Sequence, residues 1–420
     1  MKPVPAISLF LAFSSAAVVQ PRRVSYDGYK VLRLAVGEEA EKLNGIVSRL
    51  NLPTWKGAPR AGAFADIVVP PAQFEEFSKV VVGMDAIVMH EDLGASIAAE
   101  SAFNFYAAGS ANQTWFNSYH SYSDHLQFLN DLQQQYPSNS EIVTAGNSLN
   151  GNAITGIHLF GSSGKGVKPA VVFHGTVHAR EWIATMVVEY LGFNLLTNYN
   201  SSDEIQGFMD KYDFYAFPVV NPDGFIYTQT TDRLWRKNRQ ANTGSSCTGR
   251  DINRNWPYQW SVPGGASTNP CAEDYKGKDQ SDAPETTALS SWLQKTKDAQ
   301  GLKLYIDYHS YSQLFMTPYG YSCTALATNN DELQSLAAGA VAAIRAVHGV
   351  RFDYGPICST IYQATGSSVD YAADVVGADY TFTSELRDTG AYGFVLPAAQ
   401  ILPSGEEAFA GVGYLLANMK

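Results

Sequence analysis

The chain has 420 residues, of which 45% are hydrophobic and 16% charged, and its formal net charge is −11. That length exceeds one ordinary core and predicts about two domains of globular composition. No basic block interrupts the acidic balance, which argues against a phosphate-gripping nucleic-acid binder and leaves the charge as a solubility feature.

In chain order, the first signal is a leader. Lys2 precedes an apolar run from Ala6 to Val19, and Ser15-Ala16-Ala17 offers small residues for cleavage. This reads as a signal peptide over 1–17. It is too short to span a bilayer comfortably, and no other long apolar stretch follows. The expectation is therefore a secreted, extracellular protein with no membrane partner. Four cysteines suit an oxidising compartment; they allow three pairings, of which the local one, Cys247–Cys271 with Cys323–Cys358, is preferred. Sequons at Asn112 and Asn200 agree with secretion.

Residues 18–112 read as a small unit. Tyr29 to Val36 alternates like a strand and Glu38 to Leu52 has helical spacing. Ala65 to Val69 is strand-like, Pro71 to Val82 helical, and Ala86 to Met89 strand-like. The β-α-β-α-β order suggests a small antiparallel α+β sandwich, with an extra strand near Trp55. Ile97 to Asn112 reads as a connecting helix ending in an exposed tail.

From 113 to 420 strand and helix signals alternate. Strands are expected at 154–160, 170–173, 214–220, 302–308 and 380–386, and helices at 182–197, 284–297, 331–347 and 397–418. The pattern is α/β: a mixed central sheet flanked by helices, with chemistry collecting after the strand ends.

The strand Ala170–Phe173 runs into His174-Gly-Thr-Val-His178-Ala-Arg-Glu181. His178 and Glu181 stand three apart at a helix start, one imidazole and one carboxylate on one face, close enough to hold one metal ion. A strand ending at His309 supplies a third ligand. Two histidines and a glutamate leave one tetrahedral position open, which marks a catalytic zinc site. Glu385 lies in an apolar strand, where a charge is costly unless it is paired or functional, so it is the best carboxylate to face the metal. Arg236, Arg239, Arg250 and Arg254 cluster in mid-chain and suggest recognition of a carboxylate or of an oxyanion.

Together these motifs resemble carboxypeptidase A-type zinc metallocarboxypeptidases, and the whole is similar to secreted fungal members. The resemblance rests on His-Ala-Arg-Glu-Trp at 178–182, Leu-Trp-Arg-Lys-Asn-Arg at 234–239 and Asp-Ile-Asn-Arg-Asn-Trp at 251–256. His-Ser-Tyr-Ser-Gln at 309–313, Ile-Tyr-Gln-Ala at 361–364 and Glu-Leu-Arg-Asp-Thr-Gly at 385–390 complete it. It implies one Zn2+ per chain on His178, Glu181 and His309, with Glu385 as the base that activates a water on the zinc. It implies that Arg239 polarises the scissile carbonyl and that Asn253 and Arg254 bind the substrate's terminal carboxylate. Tyr362 would close over the substrate, Arg180 anchor the peptide, and Asp251 steady His178 from behind. The first unit is implied to be an activation propeptide that inhibits its own enzyme until an endoprotease removes it, and a monomer is the expected state.

Peptide and protein C-termini are the implied substrates. The resemblance puts Val369 at the pocket floor, with Met316 and Ile357 as apolar walls, so aromatic or large aliphatic ends are expected. Asp307, where a small polar residue is expected, would broaden the preference towards polar or basic ends if it faced the pocket. The remaining alternatives are a zinc amidohydrolase or endopeptidase and an inactive peptide-binding homologue; the four residues His178, Glu181, His309 and Glu385 all speak against the last.

Overall fold

A computed structural model describes residues 23–109 and 111–420, so the leader expected at 1–17 lies outside the described residues. The first unit is built from β1 (Lys30–Ala35), α1 (Ala40–Leu50), β2 (Phe64–Val69), α2 (Phe74–Val80), β3 (Ala86–His90) and α3 (Leu93–Glu100). Its antiparallel sheet has the order β2-β1-β3. Leu32, Leu34, Ile67 and Val69 pack under Leu43, Ile46 and Phe77 of the helices. Near Trp55 the structure has one isolated bridge, Thr54 to Ile67, rather than the extra strand expected there. The connecting helix also differs: it stops at Glu100, and Ser101 to Ala108 has no helical run. A side chain of Asp92 caps its start by accepting from the Ala95 N–H.

The second unit runs α4 (Tyr122–Gln135), β4 (Ser140–Asn147), β5 (Ala153–Leu159), β6 (Ala170–Gly175), α5 (Trp182–Asn198), α6 (Asp203–Lys211), β7 (Asp213–Phe217) and α7 (Pro222–Thr230). It continues through α8 (Pro284–Gln300), β8 (Leu302–His309), β9 (Leu314–Thr317), α9 (Asn330–His348), β10 (Asp353–Pro356), α10 (Ile357–Thr360), α11 (Ser368–Tyr371), β11 (Tyr380–Glu385) and α12 (Ile401–Asn418). The eight-stranded mixed sheet has the order β10-β9-β11-β8-β6-β7-β5-β4, with β11, β8, β6 and β7 mutually parallel. Alternation along β6 sends Val171 and Phe173 to the face covered by α5, α9 and α12. It sends Ala170 and Val172 to the face covered by α8 and the long loops. Helix α5 is apolar on all sides because it lies wholly inside, between sheet and α12.

Both disulfides follow the local pairing: Cys247–Cys271 ties the loop before the Asp251 turn, and Cys323–Cys358 ties the loop after β9 to α10. Asn112 and Asn200 are exposed. No helix among the described residues is long and apolar enough to cross a membrane.

The first unit sits over the C-terminal ends of β6, β8 and β11. Glu100 and Arg233 form a fully buried two-pronged pair, at 2.6 and 2.8 Å. Arg33 holds Asp66 with two bonds of 2.7 Å, and Tyr311 donates its hydroxyl to the same carboxylate. Lys56 Nζ donates to Ser312 Oγ at 2.9 Å, and Trp55 packs edge-on against Tyr311 and Phe394.

Candidate functional site

The turn after β6 is built to deliver two side chains. Gly175 admits no side chain, because a Cβ there would meet the carbonyl oxygens of Ala184 and Pro218 at 2.9 Å. Thr176 follows in the left-handed region with its hydroxyl bonded to Thr185. The chain then drops into α5 with Glu181 at its N-cap, and the Ala179 N–H is held by the carbonyl of Arg236 at 2.9 Å. His178 and Glu181 therefore face the end of β8, where His309 stands.

The three side chains converge. His178 Nδ1 lies 2.9 Å from Glu181 Oε1, His309 Nδ1 lies 3.1 Å from Glu181 Oε2, and the two Nδ1 atoms are 3.1 Å apart. All three are buried, and their ligand atoms fall within 4.8 Å of one another. Two ring nitrogens facing each other at that distance want a shared cation. Three donors around one zinc at about 2.1 Å would be spaced by about 3.4 Å, so the donor set fits zinc. Each imidazole turns its far nitrogen to a carboxylate: His178 Nε2 to Asp251 Oδ1 and His309 Nε2 to Asp307 Oδ2, both at 3.1 Å. Such outer partners orient metal-binding histidines.

Asp251 is a node. Besides His178 it receives Arg236 Nη2 at 2.8 Å and Nε at 3.2 Å, and its Oδ1 accepts the Asn253 N–H at 2.9 Å, capping the short turn Ile252–Arg254. Burial works against its charge, but Arg236, His178 and Arg254 hold its carboxyl well below the usual range.

Glu385 closes the site. The pairing of β11 with β8 sets Glu385 beside His309. The residue is half-buried, and its Oε2 is shielded with no hydrogen-bond partner. Burial pushes its carboxyl up to about 7; the charge of Glu181 adds to that push, against His309, Lys56 and Arg236.

The expected arginine is not the one brought here. Arg239 stacks its guanidinium on Tyr227 at 3.5 Å and on Trp235 at 4.2 Å, turned to those rings and not to the three ligand residues. Arg236, three residues earlier, puts Nη1 3.9 Å from Glu181 Oε1 and lines the cleft. Burial disfavours its charge, but Asp251, Tyr362 and Glu181 more than offset this. The signal available in the sequence was the need of the buried Asp251 for a counter-charge.

A cavity of about 620 Å³ lies between the two units, lined among others by Lys56, Arg60, Arg180, Arg236, Arg254 and Tyr362. The Tyr362 ring lies under Arg60 at 5.2 Å and Arg254 at 5.8 Å. Arg254 Nη1 donates to the Asn253 carbonyl, while its Nε is buried without a partner. Arg180 bonds Glu273 at 2.9 Å and stacks on Phe394. The Asn253 side chain is engaged: Nδ2 lies 3.2 Å from His309 Nε2, and Oδ1 accepts the Ser368 N–H at 2.8 Å. Val369, Met316 and Ile357 join one buried apolar cluster. Asp307 is buried, and Oδ2 also accepts the Ser368 hydroxyl at 2.5 Å.

Comparison with known proteins gives one consistent answer. A family model described as zinc carboxypeptidase matches residues 125–411, and one described as carboxypeptidase activation peptide matches 34–100. The chain is 49% identical over 428 residues to a metallocarboxypeptidase A-like protein of Trichophyton verrucosum, covering 100% of both. It is 50% identical to metallocarboxypeptidase A of Arthroderma otae, over 96% of this chain and 95% of that one. Among solved structures, thrombin activatable fibrinolysis inhibitor superposes with a TM-score of 0.87 at 27% identity, over 93% of this chain and 98% of that one.

Proposed function

The chain belongs to the zinc carboxypeptidase family, and from that premise we propose that it is a secreted precursor of an enzyme that removes single aromatic or large aliphatic residues from peptide C-termini. The convergence of His178, Glu181 and His309 beside Glu385, under a cleft lined by Arg236, Arg254 and Tyr362, carries the reading. The activation propeptide is proposed to span 18–112 and the catalytic domain 113–420, with the first unit inhibiting by covering the cleft. Its grip through Glu100, Asp66 and Lys56 supports that role. Secretion, glycans on Asn112 and Asn200, and a monomeric state remain part of the same proposal.

When bound, zinc supplies positive charge that acidifies a water and polarises a carbonyl. Glu385 takes the proton of the attacking water and later delivers it to the departing amine, so the C–O bond forms and the C–N bond breaks with the proton count balanced. Arg236, rather than Arg239, aims its donors at the oxygen on which negative charge develops. Arg254 holds the terminal carboxylate with its fork, Asn253 flanks it, Tyr362 covers it, and Arg180 anchors the upstream chain. The apolar cluster of Val369, Met316 and Ile357 favours an apolar side chain. Asp307 gives a basic preference little support, because Ser368 and His309 occupy its Oδ2 and its Oδ1 is shut off from solvent.

Blocked dipeptides ending in Phe or Lys, given to the processed enzyme with and without a chelator, test this reading. Higher kcat/KM for Phe, loss with chelator, and an inactive Glu385→Gln variant that keeps its zinc are the expected results. Turnover that survives metal removal, or a preference for Lys, would overturn it.

A further inference from the structure

Asp307 is a buried charge that the reaction above does not use. It stands two residues before His309 on β8, so strand alternation turns both to one face. Its Oδ2 lies 3.1 Å from His309 Nε2. A second group meets the same nitrogen: Asn253 Nδ2, at 3.2 Å. That amide is fixed in its sense, because its oxygen accepts the backbone N–H of Ser368. Nε2 thus has one neighbour that only accepts, the carboxylate, and one that only donates, the amide NH2.

The two neighbours demand opposite tautomers. Donation from Asn253 needs a bare Nε2 and puts the ring proton on Nδ1. Nδ1 is the atom that faces His178 and Glu181, and a ligand nitrogen must be unprotonated. Acceptance by Asp307 needs the proton on Nε2 and leaves Nδ1 bare. His178 differs at its Nε2, where the partner is the carboxylate oxygen Asp251 Oδ1.

We infer that Asp307 is the positioning residue that holds His309 in its Nε2–H tautomer against the opposing amide of Asn253, and so keeps Nδ1 available to the metal. The inference rests on the proposed ligand set of His178, Glu181 and His309. A hydrogen bond to an ionised acceptor is about twice as strong as a neutral one, which lets the carboxylate prevail. Ser368 clamps both competitors, its hydroxyl on Asp307 and its N–H on Asn253, and it is the neighbour of Val369 in the pocket floor. The side chain that replaces the small polar residue of the sequence reading therefore acts on the metal ligand and not on the substrate's last side chain.

The test uses the full chain with Asp307→Ala and with Asp307→Ala combined with Asn253→Ala. Zinc affinity is read by competition with a chromophoric chelator, and the ring protonation of His309 by nitrogen NMR of the metal-free protein. Asp307→Ala is expected to lower zinc affinity roughly 10- to 100-fold and to strip the proton from Nε2. The double variant is expected to regain about fivefold or more, since the competing donor is gone; a residue that only filled space would give no such recovery. Affinity within about threefold of the parent for Asp307→Ala, or no recovery in the double variant, overturns the inference. So does a His309 ring whose Nε2 carries no proton in the unaltered metal-free protein, where Nδ1 faces the Glu181 carboxylate in any case; that measurement stands even if Asp307→Ala does not fold. Zinc retained by His309→Ala would instead sink the ligand assignment.

Discussion

Replacing Arg236 by lysine separates the two arginines of the Leu234–Arg239 segment. Alanine is the wrong probe. Arg236 neutralises Asp251 through bonds of 2.8 and 3.2 Å, and removing one partner of a buried pair costs about 3–5 kcal/mol. Lysine keeps the charge beside Asp251 but loses the planar fork that can serve Asp251 and an oxyanion together. Loss of one oxyanion donor lowers kcat by about 10²–10³, or about 2.7–4 kcal/mol of transition-state stabilisation. The expected outcome for Arg236→Lys in the processed enzyme is a fall of that size, with full zinc content and KM changed only a few-fold. Arg239→Ala should leave kcat within about threefold and cost about 1 kcal/mol of stability, because its guanidinium stacks on Tyr227 and Trp235. Steady-state kinetics on a blocked dipeptide ending in Phe, with metal analysis of each preparation, decides. A 100-fold loss in Arg239→Ala beside a nearly intact Arg236→Lys would refute the reasoning.

Acid should weaken the fold in a definite window. Burial holds His120 and His174 down to about 4, against about 6.5 for an exposed histidine. Below 6.5 the unfolded chain takes up protons that the folded chain refuses until about 4, so their contribution is complete above 6.5 and lost as pH falls through that range. At pH 5 the loss is about 2 kcal/mol for each histidine, readable as a drop in urea unfolding free energy from pH 7. His120→Gln should flatten the drop, and stability that rises toward pH 5 would contradict it. Activation should not be tryptic. No Lys or Arg lies between Lys79 and Lys165, while Phe105 is 93% exposed in the connecting segment. A protease that cuts after large apolar residues should release activity, with a new N-terminus between 105 and 120 by sequencing. Release by trypsin, or a start outside that range, would count against this.

The parallel strands at the centre were legible because they are buried on both faces and read as short apolar runs, as at Ala170–Phe173 and Leu302–Tyr308. The long helices α5, α8, α9 and α12 fall within a few residues of the expected spans. What escaped was short or half-wet. After a buried Ser140, strand β4 runs through part-buried and exposed positions without a strong apolar face, and β9 and β10 have four residues each. The extra strand near Trp55 reflects the same limit from the other side. A chain can follow a strand through one bridge, as Thr54 follows Ile67, and a tryptophan there serves the neighbouring unit through Tyr311 and Phe394 instead of a ladder.

At the site, local spacing and strand ends bring the ligands together, but spacing cannot say which of two arginines three residues apart turns inward. The choice is made by partners remote in sequence. Asp251 lies 15 residues from Arg236 and, being buried beside His178, must be neutralised; Tyr227 and Trp235 offer Arg239 a stack that needs no buried charge. Asp307 is placed by remote partners too. Alternation along β8 sets it on the face of His309, so a contact between them was deducible from the strand alone. Whether that contact mattered depended on Asn253, which arrives at His309 from 56 residues away with its donor end forward because Ser368 fixes its oxygen. Each of these residues had a readable chemistry in the sequence. Its role was decided by which buried neighbour would otherwise be left with an unanswered charge or proton.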